Sequence, residues 1–152
     1  MVEVKREVFR RANPVINISV CSDLQSISQG LSRNYQLTQN VDCSNISFVP
    51  IGTYPSSPFN GTLEGNNFKI CNFTLNVTSN NVGLFSYTLG ANVQNLIFLD
   101  FFVNAISSNY VGVVAGRAES TFMTNITLTS SGGAQRVLGG SKMSIFFLHK
   151  IF

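Results

Sequence analysis

The sequence predicts an all-β domain that folds as a short right-handed parallel β-helix, or β-solenoid, of about four to five coils with an N-terminal capping helix. Two internal repeats lead to this prediction. The pattern apolar-x-Asn-apolar-x-apolar occurs at 70–75, 93–98 and 123–128, and a Val-Gly element occurs at 81–87 and 110–116. Copies that recur with periods of about 20–50 residues are typical of solenoids, whose units bury their apolar faces only by stacking. A two-sheet β-sandwich is the alternative, since it also has short strands separated by turns.

The segment before the repeats contains the one predicted helix. Residues 1–14 predict a leader or linker, and INISV at 16–20 alternates as a strand does. Apolar residues then recur at the helical spacing i, i+3 and i+7, at Leu24, Ile27 and Leu31. Ser22 or Asp23 can act as the N-cap, so we expect a capping helix near 23–31.

The hexads predict ladders of like side chains through the core. The expected apolar columns are Ile70–Val93–Met123, Phe73–Leu96–Ile126 and Leu75–Phe98–Leu128. Asparagine takes the third position of each hexad, at Asn72, Asn95 and Asn125, where its side chain can bond nearby backbone and tolerate unusual dihedrals. Stacked asparagines can also bond one another. Asn95 is followed by no Ser or Thr at the glycosylation spacing, so the fold itself is expected to require asparagine there.

Composition bounds the class of protein. The 152 residues are enough for one domain with a sizeable core, which we place at 15–130, followed by an atypical C-terminal tail at 131–152. Only 11% of residues are charged, and polarity comes from 17 Asn, 18 Ser and 10 Thr. No clustered basic face is visible beyond the leader, so no nucleic-acid partner is expected. The longest apolar runs are too short for a membrane span.

The three cysteines predict one disulfide. Cys21 and Cys43 are the expected pair, and three reduced, buried thiols are the alternative. None of the cysteines forms a C-x-x-C motif, which argues against zinc and redox chemistry.

Asn-x-Ser/Thr triplets, or sequons, are frequent and indicate a glycosylated extracellular chain. There are six, whereas about three are expected by chance from this composition. Asn45 and Asn60 flank turns and are the first candidates for sugar attachment, followed by Asn76 and Asn17. The other two, Asn72 and Asn125, are assigned to the structural ladder.

The acidic residues do not form a recognisable catalytic motif. Between residues 15 and 130 no two of them are closer than 19 positions in sequence. Stacking could still bring Glu64, Asp100 or Glu119 together, as acid–base chemistry on a sugar would need. The single histidine, His149, lies in the tail, which argues against His-based triads and metal sites. Arg117 beside Glu119 is read as a solvent-facing pair. No catalytic residue, metal or cofactor is predicted.

Several of these segments, taken in order, resemble GLUG-motif β-solenoid proteins. ISVCSDLQSISQGL is similar to that family's capping helix, and YQLTQNVD and VPIG to the strand and turn that follow it. FNGTLEGNNFKICNFTL resembles its hairpin, VGLFSYTLGANVQNLIF the GLUG repeat, and VGVVAGRAESTFMTNITL a weaker copy. The resemblance covers about residues 18–130 and implies a scaffold from a surface or secreted protein, with no catalytic residues to carry over.

The expected function is therefore a non-catalytic, structural or adhesive module of a glycosylated surface protein or fibre. The alternative is a fragment of a carbohydrate-active enzyme, a polysaccharide lyase or hydrolase, on the same fold. N-linked glycans, a glycan or cell-surface ligand, and head-to-tail self-association through the solenoid ends are the expected partners. No secretory signal is visible, so a secreted protein would imply that this chain is a piece of a longer one or that its start is wrongly assigned.

Overall fold

The computed structural model describes residues 13–132, 136–139 and 142–143. This part of the chain contains one α-helix, α1 (Cys21–Gln25), and a 3₁₀ helix (Ser26–Gln29) that continues it. The strands are β1 (Val15–Ile18), β2 (Asn34–Leu37), β3 (Val41–Asp42), β4 (Thr62–Glu64), β5 (Lys69–Cys71), β6 (Thr74–Asn76), β7 (Asn81–Val82), β8 (Phe85–Leu89), β9 (Asn92–Leu99), β10 (Phe102–Ala105), β11 (Tyr110–Val111), β12 (Ala115–Glu119), β13 (Phe122–Thr129), β14 (Arg136–Gly139) and β15 (Lys142–Met143).

The strands stack in parallel as windings of one coil. The largest sheet has the order β1-β2-β4-β9-β13, and β3 and β5 continue it alongside the second half of β9. Three smaller sheets, β6-β10-β14, β7-β11-β15 and β8-β12, complete the coil. Every pairing between these strands is parallel. The predicted β-solenoid is confirmed, and the alternative β-sandwich is wrong.

The solenoid has about three turns, fewer than the four to five coils predicted. Cα partners in the largest sheet run from Val15 to Asn34, Thr62, Asn92 and Phe122, so the sequence separation is 19 at the first step, 28 at the second and 30 afterwards. The predicted number was too high because the hexad spacing from Ile70 to Val93 joins two different parts of the coil. The Val-Gly echo is confirmed, since Val82 pairs with Val111.

The core is a set of ladders that run along the solenoid axis. Two of the three predicted columns within β9 and β13 hold buried pairs, Leu96–Ile126 and Phe98–Leu128, and the third pairs Val93 with Met123. The members from the first hexad are wrong. Ile70 pairs with Phe98, and Leu75 pairs with Val103. The hexad at 70–75 therefore stacks on FLDFFV at 98–103, where Asp100 takes the asparagine position.

Left-handed corners explain why asparagine recurs. Asn95 and Asn125 have φ angles of 56° and 52°, as predicted for a residue that turns the chain between two inward-facing neighbours. Their side chains stack, with 2.8 Å between Asn125 Nδ2 and Asn95 Oδ1. The placement of Asn72 in this ladder is wrong, because it lies at a second corner with Asp100, where φ is 56° and 58°. Asn67 takes its place beside Asn95.

The N-terminal end of the coil contains the helix and a disulfide, and within the described residues β1 pairs with no strand other than β2. The helix starts at Cys21, so neither Ser22 nor Asp23 is the N-cap; Asp23 instead accepts hydrogen bonds from the backbone N–H groups of Ser19 and Val20. Leu24 and Ile27 are fully buried and fill the end of the core. The predicted Cys21–Cys43 disulfide is present, with 5.2 Å between the Cα atoms. Cys71 is free and half-buried.

The chain beyond residue 130 continues the coil where the structure describes it. Strand β14 pairs with β10, and β15 pairs with β11, both in parallel. The remainder of the predicted 131–152 tail and most of the predicted 1–14 leader lie outside the described residues, so those boundaries stay predictions. In the described part of the chain, no helix has the length and hydropathy needed to cross a membrane.

We expect Phe98→Ala to lower the free energy of unfolding by about 3–5 kcal/mol, because it opens a cavity between two buried neighbours. Phe122→Ala is the matched control: its ring is 71% exposed, so the change should stay within about 0.5 kcal/mol. Denaturant unfolding followed by circular dichroism measures both. Equal losses at the two positions would contradict the ladder assignment.

The corners give a second expectation. Asn95→Ala should cost about 1 kcal/mol more free energy of unfolding than Asn95→Gly, because only alanine is strained at positive φ. Asn104 is the control, since it is a strand residue that donates one amide hydrogen bond, to Asn76, and is absent from the positive-φ positions. At that site glycine should be the more destabilising replacement. The same order at both positions would rule out a special role for the corner.

Candidate functional site

All six sequon asparagines lie on the surface of the solenoid. Each is exposed, although they occupy different parts of the coil. They are found in β1 (Asn17), in the loops before β4 (Asn45 and Asn60), at the corner between β5 and β6 (Asn72), at the end of β6 (Asn76) and within β13 (Asn125). Exposure alone therefore does not separate attachment sites from structural positions.

The hydrogen bonding of the side-chain amide nitrogen does separate attachment sites from structural positions. This nitrogen is the atom that would carry the sugar. In Asn72 it donates to Asp42 Oδ1 at 3.0 Å. In Asn125 it donates to Asn95 and Asn67, at 2.8 and 3.2 Å. A glycan at either position would replace one of the two hydrogens on a nitrogen that bonds another turn, which favours a structural role for both.

In the other four sequons this nitrogen donates no hydrogen bond to the part of the chain that the structure describes. Asn17 and Asn76 use only their side-chain oxygens, which accept from Gln36 at 2.9 Å and from Asn104 at 3.1 Å. The side chains of Asn45 and Asn60 make no hydrogen bond to any described residue. The four predicted attachment sites thus differ from Asn72 and Asn125 in that their amide nitrogens donate no hydrogen bond to a described residue.

The carboxylates accept hydrogen bonds from backbone and side-chain groups that connect different parts of the coil. Asp23 holds the start of α1, and Asp42 accepts from Asn72 and from the backbone and hydroxyl of Ser44. Glu64 accepts from the backbone N–H of Asn66 at 2.7 Å and from the amides of Gln94 and Asn95. Asp100 accepts from the backbone and hydroxyl of Ser131, one turn further along. Glu119 pairs with Arg117 at 2.9 Å.

The three residues named for the enzyme alternative bond different partners: Glu64 bonds amides of the largest sheet, Asp100 bonds Ser131 and Glu119 bonds Arg117. Within the described ranges, no group of three His, Cys, Asp or Glu residues is placed to hold a metal ion. His149 lies outside the described residues.

Hydrogen bonding lowers the pKa values of Asp42, Glu64 and Asp100. The bond from Asn72, followed by those from Ser44, holds the pKa of Asp42 below its ordinary value. The bonds from Ser131 do the same for the pKa of Asp100. Partial burial raises the pKa of Glu64, but the bonds from Asn66, Asn95 and Gln94 outweigh it and the pKa is lowered. The ionised forms are thus the ones that the fold stabilises.

A cluster of aromatic side chains surrounds Arg117. Its guanidinium carbon lies 4.1 Å from the ring centre of Tyr54 and 5.4 Å from that of Tyr110. Tyr54 also packs edge-on against Tyr87, whose hydroxyl donates to Glu119 at 3.3 Å. Arg117 is thus more than a solvent-facing pair with Glu119: it joins the loop that carries Tyr54 to the β8–β12 sheet. Tyr87 and Arg117 are Cα partners in successive turns, so the repeat was the signal that could have revealed this cluster.

The chain is similar to a known protein over most of its length. Halomucin, from Haloquadratum walsbyi, is 31% identical to it over 131 residues, which cover 78% of this chain. The chain spans about 1% of the length of this curated relative. No family model matches the chain, and no solved structure matches it. The GLUG resemblance therefore stays a prediction.

The hydrogen-bonded carboxylates of Asp42, Glu64 and Asp100 make the stability of the fold depend on pH. A folded-state pKa below the ordinary value contributes stability that is present above about pH 4 and lost as pH falls through the folded pKa. The chain should therefore unfold at lower denaturant concentrations at pH 3 than at pH 6. Asp100→Asn, which removes the charge, should be less stable than the original chain at pH 6, and the gap should narrow at pH 3. A gap of constant size would show that the Asp100 charge contributes nothing.

Proposed function

We propose that this chain is a non-catalytic, glycosylated structural and adhesive module of an extracellular or cell-surface protein. The observation that carries the proposal is the division of the six sequon asparagines, two of which bond successive turns while four keep an exposed, available amide nitrogen. Asn45 and Asn60 are the primary attachment sites in this proposal, with Asn76 and Asn17 next.

The use of the carboxylates supports a non-catalytic role. General acid–base chemistry on a saccharide needs two carboxyl groups that face one substrate. Here Asp42, Glu64 and Asp100 have lowered pKa values and bond groups that hold neighbouring turns together. Acids in this state are poor proton donors near neutral pH. An extended scaffold is the use that best fits such residues.

The similarity to a protein named as a mucin supports the surface location, because mucin-like segments are glycosylated stalks. The outer surface is compatible with that setting, since 11% of residues are charged and amides and hydroxyls supply most of the polarity. A solenoid suits such a chain because additional turns lengthen it without a new core. In this proposal an adhesive ligand, such as a glycan, would meet a surface of neutral hydrogen-bonding groups.

Mass spectrometry of the protein from its own source tests the proposal. Peptide mapping should find sugar on Asn45 and Asn60, and none on Asn72 and Asn125, whose amide nitrogens are bonded. In a secreting host, Asn45→Gln and Asn60→Gln should each remove one glycan mass, whereas the control Asn72→Gln should remove none. If Asn45 and Asn60 are both bare in the native protein, the extracellular assignment is wrong.

A further inference from the structure

The two end strands of the largest sheet lack the features that normally block further pairing. In the described part of the chain, β1 pairs only with β2, and β13 pairs only with β9 within this sheet. Neither VINI in β1 nor FMTNITLT in β13 contains a charged residue or a proline. Exposed edge strands usually carry such residues to prevent association with other chains. Both edges can therefore accept another strand.

The outer ladder of this sheet changes character at its ends. It runs from Val15 through Asn34, Thr62 and Asn92 to Phe122. The three inner rungs are polar, and the Thr62 hydroxyl donates to Asn34 Oδ1 at 2.9 Å. The two end rungs are apolar and exposed, with Val15 at 51% and Phe122 at 71%. Apolar side chains thus stand at equivalent positions on opposite ends.

The neighbouring inward-facing ladder shows the same feature. It runs from Ile16 to Tyr35, Leu63, Val93 and Met123. Its central residues are buried, whereas Ile16 and Met123 at the two ends are only partly buried. A strand added in register at either end would complete both ladders.

We propose that copies of this chain associate head to tail, with β1 of one copy pairing in parallel with the first half of β13 of another. Val15 then lies beside Phe122, and Ile16 lies beside Met123, as β4 lies beside the first half of β9 within one chain. The contact joins different surfaces and does not close on itself, so repetition yields a fibre. This inference is separate from the glycosylation of Asn45, Asn60 and Asn76, which lie outside β1 and β13, whereas Asn17 lies in β1 itself.

Disulfide trapping tests the register directly. In a Cys71→Ser background, one protein carries Val15→Cys and a second carries Phe122→Cys. Adjacent strands are about 4.8 Å apart, which a disulfide can span, while the two positions lie about 19 Å apart within one chain. Mixing the two proteins should give a disulfide between the introduced cysteines of different chains. Its yield should be about tenfold higher than in a mixture with Ile106→Cys, whose side chain is 66% exposed outside the strands.

Sedimentation of the full chain provides the second readout. Phe122→Lys should lower the average mass at concentrations where the unchanged chain assembles, and Ile106→Lys should not. A chain that stays monomeric, or bonds that form only between identical positions, would overturn the proposal. Association that appears only after residues 144–152 are deleted would also overturn the proposal. That segment of the same chain would then be what covers the free edge of β13.

Discussion

The fold depends on a constant register between successive turns. A side chain inside a solenoid finds its buried neighbours in the turns above and below it, so a slip of one residue would break every ladder at once. The corners fix this register. Asn95 and Asn125 adopt the same left-handed conformation and bond each other, which aligns β9 with β13 over their whole length. Asn72 and Asp100 repeat the same conformation at a second corner of the coil.

The demands of these corners explain the unusual surface of the protein. Each corner leaves polar groups that must be satisfied in the next turn, and Asp42, Glu64 and Asp100 satisfy them with ionised oxygens. Three of the seven acidic residues of this sequence thus join turns. Amides and hydroxyls supply most of the remaining polarity of the chain, and the sequon asparagines are among its exposed residues.

The two ends of the coil are built differently. At the first end, α1 places Leu24 against the core, and the Cys21–Cys43 disulfide fastens the helix to the end of β3. At the other end of the described coil, β13 presents Phe122 and a partly buried Met123. This asymmetry gives the solenoid a direction.

The sequence by itself determined the class of fold, the helix that precedes the repeats and the alignment of β9 with β13, and it offered the Cys21–Cys43 pair as one of two alternatives that the structure decided. These follow from local patterns, because hydrophobic periodicity and the conformational tolerance of asparagine act over a few residues. Only the tertiary structure decided where the first copy of the motif, at 70–75, stacks in the coil. The motif at 70–75 occurs at a different corner from the one at 93–98, and the two corners look alike in sequence. The packing of Tyr54 on Arg117 and the partners of Asp42 and Asp100 were also beyond reach, because each joins residues that meet only once the turn length is fixed.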